Sequence, residues 1–259
     1  MRVFDLNKVE AGIAGTKFAG RIMYFPSVES TNTLALEAAQ AGAKSGVYVA
    51  DEQTAGRGRG GHAWHSTAGD GLYVSALVTA PIPVSMAMLL PLVTGLAAQA
   101  AILEATDLKS DIRWPNDLIL NGRKCGGILV ETAANASDAM LRYAVIGIGI
   151  NTNHESFPPE IASLATSLRM ESGTAVSRER LLIHLLCALE KEIRQLGEDG
   201  LLERFAAAST WVKGKRVHVD EDGGYTGVTD GLDSRGFLRV AGDDGTIHTV
   251  LSGGVRGQQ

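Results

Sequence analysis

The chain has 259 residues, of which 45% are apolar, enough to bury a sizeable core in one large domain, or in a medium domain plus a small one. Its 24 Lys and Arg against 29 Asp and Glu give a net charge of -5, which argues against a general electrostatic grip on nucleic acid and makes any anion site a local one. Cys125 and Cys187 alone exclude a disulfide framework, and the mixed, charged opening from Met1 to Glu10 does not read as a signal peptide, so a reducing cytoplasm is expected.

In chain order, Ser30, Thr31 or Asn32 signals the start of a helix through Leu34-Ala35-Leu36-Glu37-Ala38-Ala39, with Gly42 just past its end. The Ser-Thr-Asn triplet therefore sits at a helix N-terminus. Val47–Ala50 and Gly71–Val78 read as strands, and Gln53–Gly69 between them is a long glycine-rich loop, expected to be ordered by a ligand. Pro81–Leu103 is uncharged and long enough to span a bilayer. Three prolines, Ser85, Thr94 and Gln99 interrupt it, however, and no Lys/Arg bias flanks it, so it reads as a buried helix beside a buried strand rather than a membrane segment.

Ile112–Leu120 and Lys124–Val130 flank Asn121-Gly122, the residue pair most suited to a type I′ hairpin turn. That turn predicts Leu120 opposite Arg123, Ile119 opposite Lys124 and Asp117 opposite Gly126, with Asp117, Lys124 and Gly126 on one face. Ala144–Ile150, with alternating Gly147 and Gly149, reads as a strand that something approaches closely, and Asn151 follows it. Leu181–Leu196 and Leu201–Ala208 are predicted helices. After Trp211, short pieces (Arg216–Val219, Gly236–Val240 and Thr246–Leu251) alternate with turns such as Asp222-Gly223-Gly224 and Asp243-Asp244-Gly245, predicting a small all-β module. The boundary is placed at Ser209, giving domains 1–208 and 209–259.

Two segments concentrate chemistry. Gly56-Arg57-Gly58-Arg59-Gly60-Gly61-His62-Ala63-Trp64 joins a free backbone to two guanidiniums able to grip carboxylate or phosphate, although a solvated flexible loop has the same composition. Arg113-Trp114-Pro115-Asn116-Asp117 offers a cation, an aromatic face, an amide and a carboxylate, suited to a nucleotide or Mg²⁺ or, equally, to a strand entry. Lys124, before Gly126-Gly127, would point beside backbone a ligand can approach, or be an ordinary exposed hairpin lysine. His62 and His65 lack partners with metal-ligand spacing, so no metal site is assigned. Gly147-Ile148-Gly149 lacks the third glycine of a dinucleotide fingerprint, and neither a phosphate loop of the GxxxxGK[ST] type nor a GxSxG elbow occurs.

Taken in order, Ser30-Thr31-Asn32, Gln53-Thr54-Ala55-Gly56-Arg57-Gly58-Arg59 with Trp64, Trp114-Pro115-Asn116-Asp117, Lys124-Cys125-Gly126-Gly127-Ile128-Leu129 and Gly147-Ile148-Gly149-Ile150-Asn151 resemble the biotin protein ligase family. More weakly, Gly231-Leu232-Asp233, Gly236, Leu238 and Ser252-Gly253 resemble its small SH3-like C-terminal barrel. The resemblance implies an α/β (α+β) mixed-sheet catalytic domain that uses ATP, Mg²⁺ and biotin, forms biotinyl-AMP, and biotinylates a lysine of a biotin carboxyl carrier protein. It implies that Ser30, Thr31, Asn32, Gln53, Arg57, Gly58, Arg59 and Lys124 contact biotin, with Trp64, Gly126 and Gly127 completing the substrate pocket. Trp114, Asn116, Asp117 and Asn151 are expected near the nucleotide, and Lys124, Arg57 and Arg59 in the chemistry. Two departures are His62, where the family usually has Arg, and Arg113, where Lys is usual.

Joining a carboxylate to ATP brings two anions together, so positive charge must be aimed at the α-phosphate, while no enzyme nucleophile is required. A homodimer is compatible with these features, and only 29 residues precede Ser30, too few for the DNA-binding winged helix some family members carry. The competing readings are a lipoate or octanoate ligase and a non-catalytic biotin-sensing regulator.

Overall fold

The computed structural model describes residues 4–221, 223–252 and 254–258. Asp222 of the expected Asp-Gly-Gly turn, Gly253 of the family-like Ser-Gly pair and the first residues of the Met1–Glu10 opening lie outside the described residues. The elements are α1 (Leu6–Gly12), β1 (Ile22–Phe25), α2 (Thr31–Gln40), β2 (Ser45–Ala50), β3 (Gly71–Val78), α3 (Leu89–Thr106), β4 (Asp111–Arg113), β5 (Asp117–Leu120), β6 (Arg123–Ala134), β7 (Leu141–Asn151), α4 (Pro159–Ala162), α5 (Leu168–Ser172), α6 (Arg178–Arg194) and α7 (Leu201–Ala208). Strands β8 (Lys213–Asp220), β9 (Tyr225–Leu232), β10 (Leu238–Gly242), β11 (Ile247–Val250) and β12 (Gly254–Gly257) follow.

A mixed sheet runs β1-β2-β3-β7-β6-β5-β4, parallel only between β1 and β2. Alternation along β7 assigns its two faces: Ala144, Ile146, Ile148 and Ile150 enter the main core with α3 and α6, while Tyr143 and Val145 pack under α2 with Ala35 and Ala39. Gly147 and Gly149 continue the α2 face with no side chain, leaving a bare strip of sheet beside that helix. The long apolar segment is α3, whose length and hydropathy would let it cross a membrane; here it lies against α6 and buries Leu90, Leu92, Val93, Ala97, Ala98, Ala101 and Ile102.

The Asn121-Gly122 turn forms as expected, both residues at positive φ (47° and 79°). The expected strand over Ile112–Leu120 is instead two short strands, because Trp114–Asn116, which include a cis Trp114–Pro115 peptide, make a turn between β4 and β5. Leu120 faces Arg123 and Ile119 faces Lys124, but a bulge shifts the register so that Asp117 faces Gly127 and Leu118 faces Gly126.

The second sheet, ordered β11-β10-β9-β8-β12, is antiparallel throughout. Among the described residues no pairing joins its two edge strands into a closed barrel. Its inward Val217, Val219, Leu238, Val240 and Val250 belong to the same apolar cluster as the large sheet. Near the expected boundary, Ser209 is itself buried and donates to Ile112 O at 2.5 Å.

Candidate functional site

Three segments converge on the bare strip. Ser30, the extended N-cap of α2, and the helix's first turn bring Thr31 and Asn32 against β3 and β7. A Cβ at Gly147 would lie 2.1 Å from Asn32 Oδ1, and one at Gly149 would lie 2.4 Å from Trp64 Nε1. The close approach signalled by those glycines is thus, in this state, by two of the chain's own side chains.

The buried polar groups form one continuous network. The Thr31 backbone N–H and hydroxyl donate to Gln53 Oε1 at 2.9 and 3.1 Å, and Gln53 Nε2 donates to Ser66 Oγ at 3.0 Å. The Ser75 hydroxyl lies 2.8 Å from Thr31 Oγ1 and 2.5 Å from Asn32 Oδ1, and Asn32 Nδ2 donates to Glu131 Oε2 at 2.8 Å. Pairing of this kind fixes side-chain orientations before any ligand arrives. Ser75 and Glu131 are absent from the expectations above. They sit mid-strand in no local motif, and only the facing of β3 and β6 onto α2 reveals them.

The cations differ in what they touch. Arg57 Nη2 lies 2.7 Å from Glu131 Oε2, the oxygen that also accepts from Asn32, so its charge is balanced at the Asn32 end of the cleft. Lys124 Nζ lies 2.6 Å from Asp117 Oδ1, and Arg113 Nη2 lies 2.5 Å from Asp117 Oδ2. Burial works to raise the Asp117 pKa, but Lys124 and Arg113 outweigh it and hold the carboxyl below its ordinary value. That carboxylate is already engaged by two cations, so a direct Mg²⁺ contact there would have to break an ion pair. Arg59 instead donates to neutral oxygens, Asn116 Oδ1 and Ser252 O, each at 3.0 Å. Because two cations share Asp117 and Arg59 is in no ion pair among the described residues, the cleft keeps surplus positive charge.

Two of the expected site residues stand elsewhere. The bulge turns Gly126 toward Leu118, whose Cδ1 a Cβ there would meet at 2.7 Å, while Gly127 takes the cleft-facing position beside Trp64 and Lys124. Trp114 is buried and donates its indole N–H to Gly236 O at 3.0 Å, joining the large sheet to the C-terminal module rather than facing a ligand. Asn151 donates to Thr166 O at 3.0 Å and lines a second cavity.

Two cavities meet here. The inner one, lined by Ser30, Thr31, Asn32, Gln53, Arg57, Gly58, Arg59 and Asn116 among others, has only about 40 Å³ of free space, because Trp64 lies across Gly149. Among the described residues the Trp64 indole N–H is buried there without a partner, a desolvated donor whose cost favours movement once a ligand competes for the place. The outer cavity, about 510 Å³, is lined by the apolar Phe157, Ile161 and Leu164 and by the cationic Arg113, Lys124 and Arg256 among others. Trp64 and Lys124 line both. The loop is folded back on itself, with Gly58 N–H donating to His62 O at 2.7 Å and Trp64 N–H to Gly56 O at 2.8 Å. It must shift to admit anything larger than water to the inner cavity. Hydrogen exchange across Gln53–Gly69 is therefore expected to slow at saturating biotin, and unchanged exchange would show that the loop takes no part.

Gly147→Ala is expected to weaken binding in the inner cavity roughly tenfold, with the fold retained, since the new methyl displaces an Asn32 already held by Ser75 and Glu131. Calorimetric titration checks it, and wild-type affinity would remove Asn32 from the binding wall.

A glycine-floored sheet, a preorganised polar cleft and an adjoining cavity with surplus positive charge define an α/β domain that holds an anionic ligand beside a second one. Residues 24–151 match the model of the Biotin/lipoate A/B protein ligase family. The chain is 33% identical over 245 residues to the bifunctional ligase/repressor BirA of Bacillus spizizenii, covering 92% of this chain and 75% of that protein. It is also 33% identical over 235 residues to the biotin--[acetyl-CoA-carboxylase] ligase of Mycobacterium tuberculosis, covering 87% and 84%. The biotin protein ligase of Aquifex aeolicus, solved with biotin and ATP, superposes with a TM-score of 0.76 at 28% identity over 92% of this chain and all of that one. The chain belongs to the biotin protein ligase family.

Proposed function

We infer that this protein is an ATP-dependent biotin protein ligase: it condenses biotin with ATP to biotinyl-AMP, then transfers biotin to a lysine of a biotin carboxyl carrier protein. The observation that carries this reading is that Trp64 and Lys124 belong to both cavities, so that two ligands would meet at the Lys124 ammonium. Relatives named as biotin ligases and a similar structure solved with biotin and ATP support it.

In this reading the inner cavity takes biotin. Ser30, Thr31, Asn32 and Gln53 supply the donors and acceptors a cyclic urea requires. ATP enters the outer cavity as its Mg²⁺ complex, base against Phe157, Ile161 and Leu164, phosphates toward Arg113, Lys124 and Arg256. The biotin carboxylate attacks the α-phosphorus and pyrophosphate leaves. Lys124 stabilises the charge that develops and Arg59, held to Asn116 and Ser252, closes over the intermediate, whereas Arg57, paired with Glu131, orients the inner wall. In the second step the carrier's lysine amine attacks the acyl carbon and AMP leaves.

The test is mass spectrometry of a carrier domain incubated with the protein, biotin and Mg-ATP. The expected result is a gain of one biotin, lost when either substrate is omitted. A gain with lipoate in place of biotin, or no gain at all, would overturn the reading.

A further inference from the structure

Lys124 stands next to the one irregular step in the β5–β6 ladder, where the register shifts between Leu118 and Ile119. A bulge loosens the strand that carries it, so a lysine there needs its backbone held from another side. The segment Leu164–Thr166 does this: Lys124 N–H donates to Leu164 O at 2.8 Å and Thr166 N–H donates to Lys124 O at 2.9 Å. The same segment supplies Leu164 and Ala165 to the wall of the outer cavity. Among the described residues its strand pairing is this parallel bridge to Lys124 alone.

What fixes the segment is Glu171 in α5. Its side chain is 7% exposed, and its carboxylate accepts from the Thr166 hydroxyl at 2.5 Å, from Arg123 Nη2 at 2.7 Å and from the Asn121 side-chain amide. One carboxylate thus ties the residue after the cavity wall, the residue before Lys124 and the hairpin turn. Burial opposes its charge, yet the donors from Thr166, Asn121 and Arg123 hold its carboxyl below the ordinary value.

We propose that Glu171 is a positioning residue for adenylation: it locks Lys124 and the Leu164–Ala165 wall into one unit, setting the spacing between the ammonium and a nucleotide in the outer cavity. The proposal rests on the ligase reading only for the identity of that nucleotide. Glu171→Gln keeps the volume but turns an amide toward Arg123 and Asn121, removing the charge-assisted bonds.

In the full-length protein, E171Q is expected to lower biotin-dependent exchange of pyrophosphate into ATP roughly tenfold, the size of one lost charge-assisted contact, while biotin affinity by calorimetry stays within about twofold. Because Glu171 acts through Lys124, the loss should vanish in a Lys124→Ala background, a non-additivity that general destabilisation would not produce. Independently of turnover, acylation of Lys124 by a limiting amine reagent, located by peptide mass spectrometry, should rise several-fold in E171Q. If E171Q does not fold, Thr166→Val removes one donor alone and should move the same readouts less far. Losses that add fully to those of Lys124→Ala, or unchanged exchange and labelling, would overturn the proposal. Raised Lys124 labelling in E171Q alongside a wild-type protein with no pyrophosphate exchange would support the positioning role and defeat the ligase reading.

Discussion

Lys124→Ala is expected to slow adenylate formation by about 10²–10³-fold, the cost of removing one preorganised donor from a site where charge develops. The lysine is already placed in the free protein, Nζ 2.6 Å from Asp117 and 5.2 Å from the centre of the Trp64 ring, on the boundary of both cavities. Little reorganisation is needed when two anions meet there. Removing it leaves Asp117 paired with Arg113 alone, so no buried charge is bare and the fold should survive. The measurement is biotin-dependent pyrophosphate release, with a thermal melt to confirm folding. Release at the wild-type rate would show that Lys124 only holds Asp117.

Arg59→Gly is expected to separate making the intermediate from keeping it. A mixed anhydride open to water hydrolyses, and one open to any amine labels the wrong protein. Arg59 reaches from a glycine-flanked loop to Asn116 on one side and to the Ser252 carbonyl of the C-terminal module on the other. The substitution removes both a cation and the strap between loop and module. Biotinyl-AMP should still form while Lys124 remains, but free adenylate and biotin on an unrelated lysine-rich protein should both rise per pyrophosphate released, read by chromatography and by blot. Retention equal to wild type with a collapsed adenylation rate would instead place Arg59 in the chemical step.

Much of the site was legible in the sequence because its parts are local. The helix start at Ser30, the Asn121-Gly122 turn and the alternating Gly147 and Gly149 each announce themselves within a few residues, and the fold brings Ser30, Gly147 and Gly149 to the inner cavity and Gly122 to the outer one. What was hidden depends on register and on distance along the chain. A single bulge exchanged Gly126 for Gly127 on the cleft face, and turn geometry alone could not foresee it. Trp114 has the same five-residue surroundings whether it faces a ligand or Gly236, which lies 122 residues away. Glu131 and Ser75 carry no signal until β3, β6 and α2 are laid side by side. In the C-terminal module β9 and β12 went unread because their glycines and polar residues break the alternation that marked their neighbours.

Because the indole of Trp64 and the ammonium of Lys124 are walls common to two chambers, the two binding equilibria are not independent. A molecule that lifts Trp64 off Gly149 redraws the boundary of the neighbouring chamber, and one that draws Lys124 away from Asp117 alters the charge seen from the other side. Thermodynamic reciprocity then fixes a relation between quantities measurable separately: whatever factor biotin contributes to the affinity for ATP, ATP must contribute to the affinity for biotin. If that factor is large, the order of addition becomes effectively strict, because the complex with the weaker-binding partner alone is scarcely populated, although the free energy of the ternary complex is the same by either route.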